Sequence, residues 1–174
     1  MFWHSPDYPF VRHLEAHADA IREEGERLPL DAYADWPDTE SYSGDWKVYG
    51  LVSADAAAPL AWTCAANVER CPRTTHAVQR IRGVLRAGFS LLLPGAHVFP
   101  HADEIDDRVR SHLALRVNPD AGMRFGDATV RWSAGRCLVF EGRTVHEAAN
   151  LGREPRLLLL LDLERAALHH EVAP

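Results

Sequence analysis

The spacing of apolar positions changes once along the chain, near residue 83. Before that point it is helical in two places. Phe10, Leu14, Ala18, Ile21 and Leu28 recur at helical intervals between Glu and Arg residues, which predicts an amphipathic helix over 7–28. Asp7 is its candidate cap, Pro9 lies near its start and Pro29 stops it. Residues 30–45, rich in Asp, Pro, Ser and Gly, read as loop. Trp46 to Ser53 alternates enough for a strand, and 54–70 is open between loop and short helix. Pro72 to Ile81 predicts a second helix with Val78 and Ile81 facing inward.

From Val84 onward short strands are punctuated by turn residues. Val84–Leu93 ends at Pro94-Gly95, and Val98–Asp103 follows. Val109–Val117 alternates well, and Asn118-Pro119-Asp120-Ala121-Gly122 is a turn. Thr129–Trp132, Arg136–Phe140, Thr144–Ala149 and Arg156–Leu163 complete the series. The layout is that of a mainly β jelly roll with N-terminal helices packed on it. We expect one domain over 1–174, with a helical portion to about residue 83 and a core from about 84 to 165.

Composition narrows the function. A net charge of −6 argues against nucleic acid or an anionic membrane as the main partner. The cysteines, Cys64, Cys71 and Cys137, are odd in number and lack metal-ribbon or redox spacing, so reduced thiols in a cytoplasmic protein are expected. The N-terminus has no basic segment leading into an apolar run, and the longest apolar run, Leu157–Leu161, is too short to span a bilayer. Trp36, Trp46 and Trp132 read as core, and the His169-His170 tail as frayed.

The candidate chemistry lies in Pro100-His101-Ala102-Asp103 and, far downstream, His146 and Arg156. Two imidazoles and one carboxylate are the protein ligands of the facial triad of non-haem Fe(II) oxygenases. An arginine beyond the distal histidine can hold the carboxylate of an acidic cosubstrate. If Val98–Asp103 is one strand, His101 and Asp103 share a face. If the chain folds back as a hairpin about residue 151, His146 and Arg156 are cross-strand neighbours. Arg108, Arg110 and His112 alternate along one strand, and Ser90 interrupts an apolar one. Polar groups facing into a barrel are costly unless paired or ligand-bound.

Several segments in order resemble the aspartyl/asparaginyl β-hydroxylase family of Fe(II)- and 2-oxoglutarate-dependent oxygenases. They are Cys71-Pro72-Arg73-Thr74, the stretch from Phe89-Ser90 through Pro94-Gly95-Ala96-His97 to Pro100-His101, and Arg108-Val109-Arg110-Ser111-His112-Leu113. Trp132 to Phe140, Thr144-Val145-His146-Glu147-Ala148-Ala149-Asn150 and Arg156 to Asp162 follow. The resemblance implies a double-stranded β-helix that binds Fe(II) through His101 and His146. It implies that Arg156 pairs with 2-oxoglutarate, with Ser90, Arg110 and His112 as further cosubstrate contacts and Arg108 near an acidic substrate. O₂ would be the second cosubstrate. Many members have Gly where this chain has Asp103, so a full His101, Asp103, His146 triad is expected here, as in the family's proline hydroxylases. The family's Asp-Asp before the distal histidine is Glu141-Gly142 here. The expected activity is hydroxylation of an sp3 carbon, such as the β-carbon of Asp or Asn, in a small molecule or peptide. The alternatives are a proline-type amino-acid hydroxylase and a metal-binding jelly roll without catalysis.

Overall fold

A computed structural model describes residues 2–3, 7–54, 65–103 and 107–173. Cys64 and most of the segment whose structure the sequence left open lie outside the described residues. Among the described residues there are twelve strands and four α-helices; the long strands gather after residue 83 as the change of period predicts, but short strands at 34–35 and 42–43 lie in the segment read as loop, and another lies at 2–3. The helices are α1 (Pro9–Ala16), α2 (Ala18–Arg27), α3 (Ala65–Arg70) and α4 (Pro72–Gln79). The first strands are β1 (Phe2–Trp3), β2 (Ala34–Asp35), β3 (Tyr42–Ser43) and β4 (Trp46–Ser53). The core strands are β5 (Val84–Leu92), β6 (His97–His101), β7 (Arg108–Arg116), β8 (Ala121–Phe125) and β9 (Ala128–Val130). They continue with β10 (Cys137–Glu141), β11 (His146–Asn150) and β12 (Arg156–Glu164).

The strands form two antiparallel sheets, the jelly-roll arrangement of a double-stranded β-helix. A seven-stranded sheet runs β1-β10-β7-β12-β5-β4-β2, and a five-stranded sheet runs β3-β6-β11-β8-β9. One face of the larger sheet meets the helices through Phe89, Leu113, Leu159 and Leu161, against Phe10, Leu14, Ile21 and Val78. The other face meets the smaller sheet through Val48, Leu92, Leu158, Leu160 and Phe140, against Val98, Met123 and Phe125. β12 lies between β5 and β7 and is buried on both faces, which is why it reads as a nearly unbroken leucine run.

Four readings from the sequence need correction. The predicted helix over 7–28 is two helices, because the backbone at His17 leaves the helical region (φ −104°, ψ 5°) and its Nδ1–H donates to the His13 carbonyl at 2.8 Å. Tyr8, not Asp7, caps α1, and without a side-chain hydrogen bond. The turn at 118–122 ends at Asn118–Asp120, since Ala121 already opens β8, a strand hidden by its Gly, Met and Arg content. The C-terminal tail is ordered: Leu168 is buried, the Ala173 N–H donates to the Arg80 carbonyl and the His169 ring lies against Tyr8.

Two contacts fix the helices, one to the sheet and one to each other. A β-carbon on Gly25 would lie 2.8 Å from Phe89 Cε1, so only glycine lets α2 approach β5 this closely. The buried Glu24 carboxylate accepts from Thr74 N–H (2.8 Å), Thr74 Oγ1 (2.7 Å) and Arg73 N–H (3.0 Å), satisfying open donors at the start of α4. Burial pushes the Glu24 carboxyl up, but together these donors outweigh it and hold it below its ordinary value.

Candidate active site

The sequence-predicted residues converge between the two sheets, but not by the route the sequence suggested. His101 ends β6 and His146 opens β11, and they are direct partners across that pair. Their ring centroids are 4.3 Å apart. His101 Nδ1 lies 2.7 Å from the Phe99 carbonyl and His146 Nδ1 lies 2.7 Å from the Thr144 carbonyl. A carbonyl can only accept, so both Nδ1 atoms carry the proton and both Nε2 lone pairs are left for a ligand. Burial, with help from His101 and Arg110, pushes His146 down to about 4, so it is neutral at physiological pH.

Arg156 arrives from the other sheet. β11 pairs with β6 and β8, whereas β12 pairs with β5 and β7, so His146 and Arg156 are not hairpin neighbours. The chain crosses from one sheet to the other at 151–155. Buried Asn150 holds that corner: its Nδ2–H groups donate to the Leu92 and Glu154 carbonyls, each at 2.9 Å. The expected hairpin is therefore a sheet-to-sheet corner, and the two residues enter the space between the sheets from different sheets.

Arg156 is 2% exposed. Its Nη2–H donates to Ser90 Oγ at 3.1 Å, and its guanidinium carbon lies 5.1 Å from the centroid of Trp132. Ser90 Oγ also accepts from Trp46 Nε1–H at 3.0 Å. Arg156 Nε has no hydrogen-bond partner, and no carboxylate among the described residues pairs with the group. Burial alone pushes it down to about 9, which still leaves it charged at neutral pH.

His112 links this end to the imidazole pair. Its ring packs near Trp132 (6.1 Å) and Phe140 (5.0 Å), and Phe140 also packs on His146 (5.0 Å). Neither His112 nitrogen has a partner, nor has Trp132 Nε1. Burial, then the Arg156 and Arg110 charges, holds His112 well below its ordinary value, so the ring is neutral. Buried polar atoms are normally satisfied, and a cluster of orphans along one wall marks where a polar ligand would bind.

Arg110 behaves differently. Its Nε–H donates to Asp162 Oδ1 at 2.7 Å and an Nη2–H to Asp162 Oδ2 at 3.1 Å. Asp103 Oδ2 lies 3.2 Å from Arg110 Nη2. Arg86 and Arg108 reach the same Asp162 at 3.7 and 3.9 Å. Arg110 thus has its charge balanced by Asp162, with Asp103 beside it.

Asp103 also departs from expectation. β6 ends at His101, so strand alternation does not carry the carboxylate onto the imidazole face. The Asp103 N–H donates to the Gly142 carbonyl at 2.8 Å, and its carboxylate turns to Arg110. Among the described residues no group of three His, Cys, Asp or Glu side chains stands ready-made as a metal cluster. The two imidazoles fit a metal by their free Nε2 atoms. Asp103 sits beside them on Arg110.

A cavity of about 390 Å³ opens over His101, Asp103, Arg108 and Arg110, with Trp36, Trp46 and Arg86 on its far side. Trp36 and Trp46 stack at 3.8 Å there. Sequence reasoning placed the tryptophans in the core, which holds, but missed that Trp46 and Trp132 also face the site. It also missed Asp162 as the charge centre. The signal was present: Asp162 is an acid in a leucine run, in phase with Arg156 on a two-residue repeat.

The sequence pattern of the family described as Aspartyl/Asparaginyl beta-hydroxylase matches residues 15–166, and the chain belongs to that family. It is 29% identical over 167 residues to the ornithine lipid ester-linked acyl 2-hydroxylase of Rhizobium tropici, covering 89% of this chain and 57% of that protein. It is 28% identical over 156 residues to aspartate beta-hydroxylase domain-containing protein 2 of Xenopus tropicalis, covering 80% of this chain and 40% of that one. The chain thus spans only part of the length of these curated relatives. In fold it is similar to a prolyl hydroxylase from Trichoplax adhaerens solved with a hypoxia inducible factor peptide, with a TM-score of 0.56, 13% identity, and coverage of 87% of this chain and 81% of that one. No helix among the described residues is long and apolar enough to cross a membrane.

Proposed function

We propose that the protein is an Fe(II)- and 2-oxoglutarate-dependent dioxygenase that hydroxylates an sp3 carbon. The observation that carries this reading is Arg156: a buried guanidinium with no carboxylate partner among the described residues, near an orphaned His112 that also lies near His146 of an imidazole pair with free Nε2 atoms. A buried cation of this kind calls for an anion from outside the chain. His101 and His146 would hold the iron, with Asp103 as third ligand once it leaves Arg110. Bound iron supplies O₂ activation coupled to oxidation of 2-oxoglutarate to succinate and CO₂.

The rest is work for this chain's own residues. Arg156 and the Ser90 hydroxyl orient the distal carboxylate of 2-oxoglutarate. Trp132 and Phe140 wall off water, and neutral His112 offers one N–H donor and one acceptor to the same ligand. Arg110 holds Asp103 beside the imidazole pair. Arg108, with Arg86, lines the outer cavity where an acidic substrate would present its β-carbon. We read that substrate as an Asp or Asn side chain or a similar amino acid, free or in a small peptide. Likeness to the acyl hydroxylase supports an acyl chain instead, but the arginine-lined rim favours the more polar substrate. The buried thiols of Cys71 and Cys137, each pushed up to about 12 by burial, are consistent with a cytoplasmic setting.

The test is anaerobic titration of 2-oxoglutarate into the Fe(II)-loaded protein, followed by succinate release over a panel of amino acids, peptides and acyl esters. We expect a visible charge-transfer band, weakened binding in Arg156→Met by about a hundredfold, and succinate release with at least one amino-acid substrate. Equal 2-oxoglutarate affinity in Arg156→Met would remove the observation on which the reading rests.

A further inference from the structure

The turn between β10 and β11 runs Glu141-Gly142-Arg143-Thr144 and is closed by the Thr144 N–H donating to the Glu141 carbonyl at 3.0 Å. A β-carbon built on Gly142 would lie 2.1 Å from Asp103 Oδ2, 2.8 Å from its Cγ and 3.0 Å from its Cβ. The contact is far inside any real approach, and because Cγ and Cβ of Asp103 are met as well as Oδ2, turning the carboxylate alone does not relieve it. Asp103 is tied by its own N–H to the Gly142 carbonyl at 2.8 Å and by its carboxylate to Arg110 at 3.2 Å. Arg110 is in turn locked to Asp162 by two hydrogen bonds.

Backbone conformation gives no other reason for glycine here. The described glycines with positive φ are Gly44, Gly83, Gly95, Gly126 and Gly135, and Gly142 is not one of them. An alanine at 142 is conformationally admissible, and the space it would need is the space Asp103 fills. Two residues further on, the carbonyl of Thr144 fixes the tautomer of His146. One four-residue turn thus sets both a carboxylate and an imidazole of the site.

We propose that Gly142 is a positioning residue: the side chain it lacks is the seat of the Asp103 carboxylate, and the depth of that seat sets how well the carboxylate supports metal binding by His101 and His146. The second half rests on the proposed metal role of Asp103. The first half does not.

The test uses the wild type, Gly142→Ala, Asp103→Gly and the double variant. One readout is the thermal midpoint without added metal. The other is affinity for Co(II), a visible-absorbing stand-in for Fe(II). Gly142→Ala should lower the midpoint by roughly 3–6 °C when Asp103 is present and by under about 1 °C when residue 103 is glycine. It should weaken Co(II) binding about tenfold with Asp103 present and leave it unchanged in the Asp103→Gly background. An equal midpoint loss in both backgrounds, or none in either, overturns the seat. Coupled midpoints with one Co(II) affinity for all four proteins keep the seat and overturn its link to the metal. A wild type that binds no Co(II) overturns both that link and the oxygenase reading, while the midpoints still decide the seat.

Discussion

The space between the sheets holds two buried arginines that solve the same problem in opposite ways. Arg110 is saturated in charge: Asp162 accepts from two of its donors, and Asp103 lies 3.2 Å from Nη2 as an ion pair. Burial pushes its guanidinium down, but the two carboxylates outweigh that and hold it above its ordinary value. Arg156, also buried, has a hydroxyl and an indole face and, among the described residues, no carboxylate. At one end the buried charge is balanced by carboxylates of the protein, and at the other no carboxylate among the described residues balances it. The first supports the fold and the second is suited to binding an anion, so they answer differently to mutation.

The contrast is tested most severely at Asp162. Asp162→Asn removes the charge shared by Arg110, Arg86 and Arg108 and should cost about 3–5 kcal/mol in urea unfolding. A cost below about 1 kcal/mol would mean that the saturated end does not carry stability. The same carboxylate sets a pH dependence. Burial pushes it up, but Arg110, Arg86 and Arg108 together outweigh that and hold it below its ordinary 3.8. Its contribution should therefore be fully present above pH 3.8 and fade as pH falls through the lower folded value, so the stability gap between wild type and Asp162→Asn should narrow only in that acid range.

Arg156→Met should do the reverse. Removing a buried cation without a carboxylate should leave stability unchanged or raise it by about 1 kcal/mol, while binding of 2-oxoglutarate collapses. A destabilisation as large as that of Asp162→Asn would erase the distinction between the two ends. The smallest effect is expected from Trp132→Phe, which keeps a ring under Arg156 but weakens the cation–π contact. Cosubstrate affinity should fall by about threefold, with the melting curve little changed.

Much of the fold was legible because burial writes itself into periodicity. The five leucines 157–161 announced a strand covered on both faces, and the alternation of 109–117 announced its neighbour. β8 was hidden because a strand lying between others need not look apolar when Gly, Met and Arg fill it. At the site, residue types were legible and partners were not. His146 and Arg156 are ten residues apart, and counting alone favoured a hairpin. The corner depends on Asn150 reaching carbonyls of two separate segments, which no local pattern records. Asp103 shares a face with His101 only if the strand continues through it, and β6 stops two residues short of it. Gly142 carries meaning only beside Asp103, a contact between segments about forty residues apart in sequence.

The place of β12 bears on how the molecule assembles. It is the last of the described strands, yet it lies at the middle of the larger sheet, between β5 and β7. Its partners are synthesised long before it, and each must present an unpaired apolar edge until it arrives. Closing such distant pairings carries a loop-entropy cost before any contact rewards it, which slows folding. On a ribosome the sheet could not close until residues 156–164 had emerged. Until then the nascent chain would carry β5 and β7 as open edges, the kind of surface that holding chaperones cover and that aggregation exploits.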